Sequence, residues 1–282
     1  MNPVVSSSAP KVSEPRERVA PVPADRLGTG EKRPRSSGRG ATGMRVRKLE
    51  RGADDGYASG LVQGCKSSTD AERLAEEIAF AMARLVVISE QPPASFAAII
   101  DPALDLEERT WNAVQWELGA EGDAAVSWSS GEGAEAYRAW AQRAGSQQAA
   151  FNGEAYWTPD RRFERIFERL GTLGVLDRDE RFDLLVVLGR LGLYELEAGK
   201  LFLTGENETT WAAKRALGIG DPLLLERRSG DLASACGVPL AALDLGFYNW
   251  GVGPARRTGR GVSDELMPDA DGLAAVRGAL GL

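Results

Sequence analysis

The sequence predicts an all-α fold, and three observations carry that expectation. Apolar residues recur at helical spacing in one short segment after another. The segments are punctuated by capping residues and prolines. There is no βαβ alternation and no repeat of fixed period.

The first helix follows Ser67-Ser68-Thr69-Asp70, a run of good caps. Leu74, Ile78, Met82 and Leu85 give its stripe, and it should end near Ser89, before Pro92-Pro93. A second helix begins near Asp105, with Glu107 and Glu108 favoured in its first turn by the dipole and Trp111, Val114 and Leu118 as its apolar face. Residues 119–153 are rich in Gly, Ala, Ser and acidic residues and read as an insertion or loop carrying one short helix, anchored by Tyr137 and Trp140. Thr158 and Pro159 then open a helix whose Phe163, Ile166, Phe167 and Leu170 follow the i, i+3, i+4, i+7 pattern. The next helix runs from about Asp179 to Arg190, mostly buried, with Gly192 suited to a left-handed cap. Residues 194–204 fit a short strand pair or a loop equally. Further helices are expected at about Glu208–Ala216, from Asp221-Pro222 to about Cys236, from Pro239 through Phe247, and at about Asp271–Leu280.

Ahead of these lies a tail. Residues 1–67 are rich in Pro, Ser, Gly and Arg, without apolar periodicity, and read as disordered. Residues 1–51 hold 12 Lys/Arg against 5 Asp/Glu, a net +7, whereas the remaining 22 Lys/Arg and 36 Asp/Glu give −14. The clusters Lys32-Arg33-Pro34-Arg35 and Arg45-Val46-Arg47-Lys48 suit a solvated tail, one that folds back on its acidic domain, or weak phosphate contact.

Composition excludes several chemistries. With no histidine there is no Ser-His-Asp triad, no Cys-His dyad and no histidine zinc ligand. Any general acid or base must be Asp, Glu, Lys, Tyr or Cys. Two cysteines, Cys65 and Cys236, make neither a disulfide framework nor a four-cysteine metal site, so no metal or cofactor is expected. The apolar runs, such as Leu184 to Leu188, are too short to cross a membrane, and no apolar stretch precedes Arg16 as a secretory signal would need. The expected location is the cytoplasm, and the heavy Arg, Ala and Gly usage fits a high-GC bacterial genome.

One constellation points to function. Leu217-Gly218-Ile219-Gly220 lies between two predicted helices. Glycines there let the backbone turn sharply and lie close to a phosphate, with the next helix N-terminus aimed at it. A plain helix–helix turn has the same signature. Lys214 and Arg215 precede the turn and could grip phosphates, while Arg227 and Arg228 fit a solvated helix face. Trp211, Tyr248 and Trp250 suit either base stacking or core packing.

Two further segments extend the pattern. Gly237-Val238-Pro239-Leu240 through Asp244 to Phe247 resembles the segment that follows the hairpin in the endonuclease III type of helix-hairpin-helix DNA glycosylase. Leu85-Val86-Val87-Ile88-Ser89-Glu90-Gln91 resembles that family's apolar helix ending in Ser-x-Gln. The resemblance implies two helical subdomains with a cleft between them, a helix-hairpin-helix-like turn holding DNA, and a nucleotide rotated into the cleft. It places Asp244 at the catalytic position and gives Gln91 the gap left by the flipped base. Gly218, Ile219, Gly220, Lys214 and Arg215 would contact DNA. The superfamily also includes enzymes that act on hypermodified phage thymines.

The departures are specific. Asp221-Pro222-Leu223-Leu224-Leu225 stands where bifunctional members carry a lysine, so no Schiff base and no lyase activity are expected. Asp221 puts negative charge where a phosphate would lie. The iron–sulfur cysteines are missing, and Gly246 replaces the histidine found two residues after the catalytic Asp in many relatives. Asp244 also has a structural reading, as a helix-end acid or an arginine partner. Three functions therefore stand: a DNA-base-directed enzyme of the glycosylase type without lyase activity, a non-catalytic helical module that binds DNA or a protein partner, and an unrelated helical domain. The domain's net −14 weighs toward the last two.

Overall fold

A computed structural model describes residues 52–119 and 131–282, with only the backbone of Glu132. Residues 1–51, with their basic clusters, and residues 120–130 lie outside the described residues. The described chain is helical, with no strand among the described residues, and 194–204 is an irregular loop.

The helices are α1 Ser68–Glu90, α2 Ala97–Ile100, α3 Leu106–Gly119, α4 Glu132–Ala144, α5 Gln147–Asn152 and α6 Pro159–Gly171. They continue with α7 Arg178–Arg190, α8 Glu208–Leu217, α9 Pro222–Cys236, α10 Leu240–Val252 and α11 Ala270–Leu280. Single 3₁₀ turns occupy Ala94–Phe96 and Pro254–Arg256. Pro159 and Pro222 open α6 and α9, as their sequence position requires. Asp221 caps α9 by accepting the Leu224 N–H, whereas Thr158 at the start of α6 makes no side-chain cap bond. Gly192 adopts φ +70°, just beyond α7.

Two groups of helices form. In the first, α1 packs most extensively on α10, and α8, α9 and α11 close around that pair. In the second, α3 packs on α2, α5 and α7, while α6 bridges α5 and α7. Residues 132–152 fold as α4 and α5, and their aromatics join the core. Tyr137, Trp140, Phe151 and Tyr194 follow one another at centroid spacings of 5.2–5.5 Å. This segment therefore contributes two helices where the sequence suggested one.

Helix α1 serves as a ruler for the first group. Near its start Trp250 Nε1 donates to Asp70 O, and Arg73 Nη2 donates to Trp250 O. Further along, Gly246 of α10 meets Ile78, so the two helices run antiparallel. A Cβ on Gly246 would lie 2.9 Å from Ile78 Cγ1 and 3.1 Å from its Cα. That close approach explains the glycine found two residues after Asp244.

Residues 52–66 are packed against the domain, contrary to the disorder expected of them. Val62 and Cys65 are buried, and Tyr57 Oη donates to Leu280 O. Gly64 donates its N–H to Ala216 O at 3.0 Å, and a Cβ there would stand 1.8 Å from Arg215 O. The segment carries few apolar residues, so periodicity could not reveal it. Its order rests on a glycine that lets it touch the back of α8.

Candidate functional site at the seam of two helix groups

Charge is concentrated where the two groups meet. Helix α7 starts with a capping box between Asp177 and Glu180, and Phe182 through Leu188 are all buried. A helix enclosed on every side also carries its charged residues inward. Arg178, Asp179 and Asp183 are buried for that reason.

Each of them is answered from the first group. Arg84 of α1 grips Asp183 in a two-pronged pair, Nη1 to Oδ1 at 2.9 Å and Nη2 to Oδ2 at 2.9 Å. Arg178 lies between Asp179 Oδ1 at 2.9 Å and Asp244 Oδ1 at 2.5 Å, and also donates to Leu201 O. Thr209 Oγ1 of α8 donates to Asp179 Oδ1 at 2.8 Å. Arg260, in the loop after α10, donates to Asp179 O at 3.0 Å and approaches Asp183 Oδ2 at 3.9 Å. That loop is held in turn by Arg84, whose Nε donates to Gly259 O and Arg260 O, both at 3.1 Å.

Burial governs the protonation of these acids. Desolvation pushes Asp244 up to about 6, although Arg178 opposes it. Glu180 rises to about 7 for the same reason, against the N–H bond it accepts from Asp177. Glu117 of α3 is buried, with Oε2 unpartnered, and desolvation and then Asp183 hold it well above the ordinary carboxylate range. Desolvation alone would lower Arg260, but Asp183 and Glu117 outweigh it and raise its pKa. The cluster is a buried, alternating array of cations and carboxylates, with the Glu117 carboxyl of raised pKa beside it. Such an array contributes little net stability as a whole but is costly to leave half-paired.

The residues expected from sequence are distributed unevenly around it. Asp244 is part of the array, only 5% exposed, and its partner is an arginine, as its structural reading anticipated. Gln91 is exposed at the C-terminal end of α1, seven residues beyond Arg84. The hairpin lies near the opposite end of α1, against Gly64, and the 23 residues of that helix span about 34 Å. Gln91 and the hairpin are therefore not brought together.

At the hairpin, Gly218 has φ +71°, and the N–H groups of Gly218 and Ile219 both donate to Lys214 O. Gly220 is exposed, and the next helix start is occupied by the Asp221 carboxylate. Lys214 lies over Trp211, and Arg215 stacks on the buried ring of Trp250 at 4.7 Å. Trp211 and Leu223 are among the exposed large apolar residues, and Arg227 and Arg228 are exposed, as a solvated face requires.

Two surface cavities open elsewhere. One of about 210 Å³ is lined by Phe163, Arg190, Leu196, Glu197 and Pro239, and one of about 310 Å³ by Glu107, Trp111, Arg138 and Gln142. Asp244 lines neither. Sequence reasoning missed Arg84, Glu117, Arg178, Asp179, Asp183 and Arg260. The available signals were an acid, Asp183, inside the apolar run of α7 and the Gly259-Arg260-Gly261 triplet.

Residues 122–227, less than half of the chain, match the model of a family described as alpha-glutamyl/putrescinyl thymine pyrophosphorylase clade 3, a DNA base-modification family. No curated protein and no solved structure matches the chain. The matched stretch includes Arg178, Asp179, Asp183, Thr209 and the Gly218–Gly220 turn. Arg84, Asp244 and Arg260 lie outside it. No helix among the described residues is long and apolar enough to cross a membrane.

Proposed function

We propose that the chain acts on a base in DNA, exchanging pyrophosphate and an amine on a thymine, with the seam around Asp244 as the reacting centre. The match of residues 122–227 to the thymine pyrophosphorylase family carries this reading. In the synthetic direction an amine nitrogen, of glutamate or putrescine, attacks the exocyclic carbon of a thymine bearing a diphosphate ester. The C–N bond forms, the C–O bond breaks, and pyrophosphate leaves with the electron pair. The proton released from the new ammonium passes to the Asp244 carboxylate. Its pKa of about 6 keeps that group ionised yet basic near neutral pH. The base must leave the helical stack to reach a buried carboxylate. Because Asp244 is closed off in this conformation, the seam must open for substrate.

The glycosylase alternative uses the same residues differently. There Asp244 would stabilise positive charge developing on the sugar, and Gln91 would fill the vacated stack. The lack of a lysine after the hairpin removes the lyase step. A non-catalytic helical module is favoured by two observations: the buried pairing of Asp244 with Arg178, and the carboxylate of Asp221 at the start of α9.

One experiment separates the three. Oligonucleotides carrying thymine diphosphate esters, uracil, and oxidised or alkylated bases are incubated with glutamate or putrescine, and products are read by mass spectrometry. Base substitution with the glycosidic bond intact supports exchange, whereas an abasic site supports excision. Asp244→Asn should lower either product by at least about 100-fold. No product above that variant on any substrate would leave only a binding role, to be read from the salt dependence of DNA affinity.

A further inference from the structure

The three arginines of the seam are not equivalent. Arg84 is 1% exposed and fully engaged by Asp183 and two main-chain carbonyls. Arg178 is enclosed by Asp179, Asp244 and Leu201 O. Arg260 differs: its side chain is 16% exposed, and its shortest bond is to a carbonyl, Asp179 O, through Nη1. It approaches the Asp183 carboxylate only to 3.9 Å, and its Nε and Nη2 take no partner among the described residues.

Its position relative to Asp244 is equally specific. Tyr248 follows Asp244 by four residues, on the same face of α10, and is half-buried. The Arg260 guanidinium lies over that ring, 4.9 Å from its centre. The pair therefore stands one helical turn from the buried carboxylate, with the Arg260 side chain partly open to the surface.

The backbone beneath Arg260 is fixed. Its φ of +40° is one of two positive values among the described non-glycine residues. Arg84 holds the carbonyls of Gly259 and Arg260, and Asp264 accepts the Gly259 N–H. On the other side Gly261 is flush against Phe96 and Trp116, where a Cβ would lie 2.3 Å from Phe96 Cζ. A non-glycine residue kept in this region indicates a side chain that the surroundings require there.

We infer that Arg260 is an oxyanion-binding residue of the seam, taking the pyrophosphate group of the substrate with the Tyr248 ring supporting its guanidinium plane. This rests on the exchange reading above for the identity of the anion. A guanidinium presents paired donors that match phosphate oxygens, and its aromatic support limits the orientations it must give up on binding. Arg84 and Arg178 hold carboxylates at 2.5–2.9 Å, whereas Arg260 is tied to Asp183 only loosely, at 3.9 Å, which leaves its Nε and Nη2 to meet an incoming anion.

The test uses the full chain and inorganic pyrophosphate, titrated calorimetrically at low salt. Wild type should bind saturably, and Arg260→Gly should weaken binding at least about tenfold. Glycine adopts φ +40° freely, so this variant keeps the turn. Arg260→Lys, which keeps the charge but loses the fork, should fall between them, and it carries the comparison if the glycine variant melts early.

No saturable binding by wild type, or equal binding by the folded Arg260 variants, overturns the assignment. The outcomes for the two readings are distinguishable. Arg260-dependent pyrophosphate binding without any base product would sink the DNA reading alone. A base product whose KM for the diphosphate ester is unchanged in Arg260→Gly would sink this one alone.

Discussion

The hairpin and the seam handle charge in opposite ways. At the hairpin the anion position is filled from within: Asp221 accepts the Leu224 N–H, and the amides of Gly218 and Ile219 are spent on closing α8. At the seam the charges are paired across two helix groups, and one cation, Arg260, is left only partly committed. The glycine pattern thus marks a backbone geometry, whereas capacity for binding depends on which polar groups remain unspent.

The largest effect should come from breaking the seam. Arg84→Met leaves Asp183 buried without its two-pronged partner and should cost roughly 3–5 kcal/mol in urea unfolding. Replacing both partners by apolar residues should recover most of that loss. A cost near that of a surface pair would mean that the array does not hold the groups together.

Next in size is the helix crossing beside it. Gly246→Ala forces a methyl to within 2.9 Å of Ile78 and should cost about 1–3 kcal/mol, with the denaturant slope unchanged. An unaffected midpoint would show that α1 and α10 have room to part.

Titration gives a smaller, signed effect. The folded-state pKa of Asp244, about 6, is above its ordinary 3.8, so the folded state binds the proton more tightly than the unfolded one. This contribution is fully present below pH 4 and is lost as pH rises through about 6. Unfolding free energy measured from pH 4 to 7 should therefore decline less steeply in Asp244→Asn than in wild type. Identical slopes would remove Asp244 from the titrating groups.

The smallest change belongs to the hairpin. Asp221→Ala should cost about 1 kcal/mol through loss of the cap. If DNA approaches this turn, removing the carboxylate should also raise duplex affinity a few-fold at low salt, on the order of one unit charge. Unchanged affinity would assign DNA contact to another surface.

The helices were largely legible in the sequence because their boundaries are written locally. Asp221-Pro222 and Thr158-Pro159 mark starts whatever the rest of the chain does. Residues 52–66, the four-residue α2 and the second helix of 132–152 were not, since each takes its order from tertiary contact rather than from its own periodicity. Of the proposed site, one residue had a signal in the sequence. Asp244 was singled out by its surroundings in the chain, but Arg84 looks like an ordinary helix arginine between Met82 and Leu85. Its partners lie about 100 and 176 residues away, and no local pattern encodes such pairs.

The crossing of α1 with α10 also bears on how the chain is made. Ile78 and Gly246 meet at the centre of the first helix group but are separated by most of the described sequence. During synthesis the apolar stripe of α1 emerges early and lacks its most extensive native partner until α10 has cleared the ribosome. The second helix group, whose contacts are mostly near in sequence, can assemble in the interval. The nascent chain therefore carries an unsatisfied amphipathic helix for most of its translation, and a chaperone that recognises such helices has its opportunity there.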